Sequence, residues 1–88
     1  MKIKDGFMLR ELGDGFIAVA VGERAASFNG MVKLNATGAF IWKTLESGCD
    51  RDGLIRALTD HYDIDAAKAA EAADAFTAQL RKNGFLDE

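Results

Sequence analysis

Up to Leu34 the apolar residues of this chain fall in short strand-like runs, and from Asn35 onward they recur at helical spacing. A chain that changes period once keeps its strands in one part and its helices in the other. That is the pattern of an α+β domain, not of alternating strand-helix-strand units. With 88 residues there is room for one domain, 1–88, around one modest core. A two-domain enzyme with an enclosed active site does not fit that length.

In the strand part, the runs 7–12 and 16–21 flank Gly13-Asp14-Gly15, which can supply the positive φ angles of a tight hairpin. Within the second run Ile17, Val19 and Val21 share one face and Phe16, Ala18 and Ala20 the other, so both faces can be covered and the strand is expected at the centre of the sheet. A longer connection, 22–30, leads to a third run, 31–34. Its alternation sets Met31 and Lys33 opposite Val32 and Leu34. A short strand carrying a lysine reads as an edge strand.

Three helices are expected after it. Asn35 is the N-cap candidate of the first, with Ile41, Trp42 and Leu45 on one face and Gly48 as its stop. Asp50 can cap the second, whose apolar stripe is Leu54, Ile55, Leu58 and Tyr62, and in which Gly53 weakens the first turn by up to ~1 kcal/mol relative to Ala. For the third, Asp65 is the N-cap, Ile64 is placed to staple onto Ala69, and Asn83-Gly84 is the stop. Arg81 and Lys82 complement the dipole at its end, and Phe85 falls where a Schellman motif brings it back onto Leu80. Its core stripe reads Ala69, Ala73, Phe76 and Leu80. The fold expected is therefore a three-stranded antiparallel sheet followed by three helices that pack on one of its faces.

Chemistry is sparse. The single histidine, His61, sits at a helix end, and Cys49 is the only thiol, so neither a zinc site nor an internal disulfide can be assembled. Cys49 has no nearby histidine to activate it and reads as a small residue in a tight turn. Asp50 and Asp52 are acids of the kind favoured at a helix start. The glycines are not spaced as a phosphate-cradling loop, and Trp42 reads as core. A net charge of −3, with the eleven basic residues scattered, argues against nucleic acid, although two short helices followed by a third keep a helix-turn-helix reading in view. The N-terminus has no apolar stretch behind its lysines, and no long apolar run exists. The chain is expected to be cytoplasmic and unanchored, with neither nucleic acid nor membrane as partner.

What remains is geometric: an edge strand whose free backbone groups could accept another extended chain. The segment from Phe28 to Trp42, with its core Leu34-Asn35-x-Thr37-Gly38-x-x-Ile41-Trp42, resembles the central segment of the PqqD-like family. The match continues through Leu45 and Gly48, the spacing to Leu54, Leu58 and Tyr62, and the closing Phe76, Leu80, Gly84, Phe85 and Leu86. The resemblance implies a winged-helix-like fold, the RiPP recognition element. It also implies a peptide chaperone that binds the leader of a ribosomally made precursor peptide and presents it to a modifying enzyme, commonly a radical SAM protein. By the same resemblance the leader adds as a strand beside the third run, on the backbone of Met31, Val32, Lys33 and Leu34, and lies against the third helix. There Ala70, Asp74, Thr77 and Arg81 form a stripe next to the core stripe that could wall the groove. Thr77 departs from the apolar residue usual in relatives, and the third helix is unusually rich in alanine.

The family motif brings no catalytic residue, so neither an enzymatic activity nor a cofactor is expected. Asn35 and Gly38 read as architectural, the first as a cap and the second as a place where a side chain would obstruct a neighbouring element. Two other readings compete: a winged-helix nucleic-acid-binding regulator, and a domain that pairs its own sheet edges.

Overall fold

A computed structural model describes residues 1–13, 15–22 and 31–87, and in it sheet gives way to helix at Asn35. Asp14 of the expected hairpin and the connection 23–30 lie outside the described residues. The elements are β1 (Lys2–Ile3), β2 (Phe7–Leu12), β3 (Gly15–Ala20), β4 (Met31–Leu34), α1 (Ala36–Ser47), α2 (Arg51–His61), α3 (Ala66–Lys82) and β5 (Leu86–Asp87). Strands β2, β3 and β4 form one antiparallel sheet with β3 in the middle. The three strands and three helices read from the sequence are all present. The pair β1·β5, which sets Lys2 against Asp87 and Ile3 against Leu86, was not expected.

Gly13 takes a φ of +63°, and Leu12 pairs directly with Gly15, so the hairpin loop is two residues long and Gly15 already belongs to the strand. One face of the sheet looks at the helices. Ala18 and Leu34 are buried there, and Phe7, Leu9, Phe16 and Val32 pack against the core. The alternate residues, among them Met8, Arg10, Ile17 and Lys33, are carried to the other face.

Each helix begins on the cap its sequence offers. The Asn35, Asp50 and Asp65 side chains accept from the backbone N–H groups of Gly38, Gly53 and Lys68 at 2.8, 2.7 and 2.8 Å. Gly48 ends α1 at φ +85°. At the end of α3 the Phe85 N–H donates to the Leu80 carbonyl at 2.9 Å and the Gly84 N–H to that of Arg81 at 3.1 Å, a complete Schellman motif. Its consequence is long-range: Phe85 is fully buried, edge-on to Phe7 of β2 at 4.6 Å and to Trp42 of α1 at 5.2 Å between ring centroids. Burying such a ring is worth about 1.5–3 kcal/mol and each edge-to-face pair about 0.5–1.5 kcal/mol more, so this stop signal ties sheet, α1 and chain end together.

Candidate functional site

Among the described residues, strand β4 is paired on one side only. Which of its backbone groups face the open side follows from the hairpin. Across a two-residue loop the flanking residues exchange hydrogen bonds, so Gly15, and with it Ile17 and Val19, turn N–H and C=O toward β2. The Val21 N–H, donated to the Gly6 carbonyl at 2.8 Å, continues that phase. Phe16 and Ala18 therefore turn theirs toward β4, where they meet Leu34 and Val32. In agreement, the Leu34 carbonyl oxygen lies 3.6 Å from where a Gly15 β-carbon would stand. Met31 and Lys33 turn N–H and C=O away from β3, two donors and two acceptors along an edge that no described strand pairs with.

Beside the residues that follow this edge lies an open groove of about 220 Å³. Its walls are Gly38 and Ile41 of α1 and Ala72, Ala75, Phe76 and Gln79 of α3, with Asn35 and Thr37 at its polar mouth. The walls approach closely because of Gly38: a β-carbon there would stand 3.0 Å from Phe76 Cε1. That is the obstruction the glycine was expected to avoid, and Phe76 is the residue obstructed. Phe76 itself is half-buried, packed against the core on one side and exposed to the groove on the other.

The four sequence-derived residues of the third helix lie elsewhere. Asp74, Thr77 and Arg81 line a different groove, of about 500 Å³, together with Met1, Ala73 and the start of α2 at Asp50 and Arg51; half-buried Ala70 lines neither. Thr77 is 5% exposed and its hydroxyl donates back to the Ala73 carbonyl at 2.8 Å, so it belongs to the buried stripe with Ala69, Ala73 and Leu80. Asp74 faces Arg51, which donates Nε–H to Oδ1 at 2.8 Å and Nη2–H to Oδ2 at 2.9 Å. This forked pair holds the Asp74 carboxyl below the ordinary carboxylate range. The structure thus sets the 72, 75, 76 and 79 flank of α3 against α1 just past the end of β4, where Asn35 follows Leu34, and turns Asp74 and Arg81 toward the start of α2.

The remaining reactive side chains are disposed for structure. Burial pushes the Cys49 thiol above its ordinary value, away from the thiolate that nucleophilic attack requires. The exposed His61 ring stacks on Phe40 at 4.2 Å, with Tyr62 edge-on to both. Among the described residues no three His, Cys, Asp or Glu side chains converge as a metal site, and no helix is long and apolar enough to cross a membrane.

A family model described as coenzyme PQQ synthesis protein D (PqqD) matches residues 16–86. Two solved structures share the fold. TbiB1 in complex with the TbiA(beta) leader peptide is 22% identical, with 99% of this chain and 95% of that chain covered and a TM-score of 0.77. A lasso peptide synthetase B1 complexed with the leader peptide is 20% identical, with 96% and 93% covered and a TM-score of 0.74. No curated protein matches the chain.

Proposed function

The chain belongs to the PqqD family, and from that membership we propose that it binds the leader segment of a ribosomally synthesised precursor peptide by strand addition at β4. It acts in the cytoplasm without catalysis of its own and presents the peptide to a modifying enzyme, a radical SAM protein. The observation that carries the reading is the pairing of an open strand edge, with the Met31 and Lys33 backbone groups facing outward, and an apolar groove beside it. Both solved neighbours are complexes with a leader peptide.

Magnitudes say why the groove is needed. Four strand hydrogen bonds at ~0.5–1.5 kcal/mol net give a few kcal/mol before the guest is ordered, whereas micromolar binding takes about 8 kcal/mol. The remainder comes from guest side chains. In an added strand the residues facing Val32 and Leu34 turn to the helix side of the sheet, and one apolar side chain held between Ile41 and Phe76 supplies about 1.5–3 kcal/mol. On this reading the helical wall is Ala72, Ala75, Phe76 and Gln79 in place of Ala70, Asp74, Thr77 and Arg81.

The test is an NMR titration of the chain with leader peptides encoded in short reading frames beside its gene. Expected are amide shifts at 31–41 and 72–79. Saturable shifts confined to the 74–81 face, or none with any such peptide, would sink the proposal.

A further inference from the structure

We infer that the outer face of the sheet selects the guest, and that the guest side chain standing across from Lys33 is a carboxylate. The inference rests on the strand addition proposed above. Side chains opposite one another in a ladder share a face whichever way the added strand runs. The guest residue opposite Lys33 is therefore carried to the outer face, while its two neighbours turn inward to the groove.

The register aligns Arg10, Ile17 and Lys33 in one row across that outer face, and the guest takes the fourth place. Two of the three residues in the row are cations. Among the described residues this face, with Met8, Leu12 and Val19 as its other large side chains, holds no carboxylate, although the chain as a whole is acidic. Lys33 has Ile17 across from it on the paired side, and among the described residues no carboxylate stands across from it, so the cross-strand acid is the guest's to supply. Its position is also shaped: Lys33 borders a shallow recess of about 140 Å³ with Leu12, Gly15, Phe16 and Ile17. Apolar residues of the recess can carry the lysine stem while its exposed ammonium reaches the guest. The bland role for an edge lysine is to discourage unwanted pairing, and that role is indifferent to the sign of the guest's charge at one position.

The test selects a random dodecapeptide display library on the full chain and on Lys33→Glu, then measures enriched synthetic peptides by fluorescence anisotropy against both and against Lys33→Pro. The chain is expected to enrich an acid at one position with apolar residues on both sides of it. Lys33→Glu is expected to enrich Lys or Arg at that same position and to keep the apolar flanks. Exchanging the acid for glutamine should weaken binding about 1.4- to 5-fold, and by less on Lys33→Glu. If Lys33→Pro abolishes binding but Lys33→Glu leaves the charge preference unchanged or shows none to begin with, strand addition stands and the carboxylate inference is wrong. If the enriched peptides bind Lys33→Pro as tightly as the native chain, or no peptide is enriched, both fall.

Discussion

Two adjacent residues of β4 have opposite duties. Val32 gives its N–H to the ladder with Ala18, and Lys33 turns its N–H outward. Proline removes that donor in either case. Lys33→Pro is expected to keep the native circular dichroism and lose peptide binding, whereas Val32→Pro should lower the urea midpoint through the lost ladder bond. The reverse outcome would mean that Val32, not Lys33, turns its N–H to the open edge. At Gly38 a β-carbon would press on the Phe76 ring at 3.0 Å and on the capping Asn35 oxygen at 3.3 Å. Alanine gains up to ~1 kcal/mol of helix propensity there but loses ~1–3 kcal/mol to crowding, so Gly38→Ala should be about 1 kcal/mol less stable in urea. It should also bind peptide more weakly, because the displaced ring moves into the groove. That Gly38 marks a close approach is legible in the sequence. Its partner is not, since two residues 38 apart meet only through the crossing of two helices.

At the scale of elements, α3 shows where periodicity stops informing. Its buried residues, its cap and its stop can be counted off in threes and fours, but the pattern is symmetric about the core stripe. The flank carrying Ala72, Phe76 and Gln79 and the flank carrying Ala70, Asp74 and Arg81 are equivalent until the hand of packing is known. Thr77 joins the core, which its chemistry alone does not announce, because its hydroxyl is satisfied within the helix. The stop signal is better specified. Gly84 sits at φ +79°, where a β-carbon costs about 1–2 kcal/mol, so Gly84→Ala should lose roughly that much in urea unfolding. A second prediction concerns the Arg51–Asp74 pair that joins α2 to α3. A carboxyl held below its ordinary range stabilises the fold fully above the ordinary carboxylate pKa, and the contribution is lost as pH falls through the lower, folded value. Both side chains are 54% exposed, so the effect is small and screened by salt. Urea midpoints followed against pH should fall less steeply on the acid side for Asp74→Asn than for the native chain.

For the whole molecule, the order of strands and helices was legible because one change of period at Asn35 divides the chain. The closing pair β1·β5 was not, because two-residue strands have no period to detect; it is held by Ile3 and Leu86, which are buried, and by the Lys4 N–H donated to the Phe85 carbonyl at 2.9 Å. Small size makes such a molecule responsive to its ligand. A peptide that binds only the folded chain, supplied at a hundred times its Kd, adds about 2.7 kcal/mol, which in a domain of this length raises Tm by about 10–20 °C. The same measurement made with the leader peptide and, separately, with duplex DNA at two ionic strengths separates the competing readings. A nucleic-acid binder making 6–10 phosphate contacts loses about 10³–10⁵ in affinity between 50 and 200 mM salt. Strand addition to an acidic chain draws on backbone hydrogen bonds and apolar contact, with at most one exposed ion pair at Lys33, so its Kd should change by less than about 5-fold over that range. A DNA-induced shift that is lost steeply with salt, beside none from peptide, would return the nucleic-acid reading to first place, and a peptide shift that persists at 200 mM beside none from DNA would remove it.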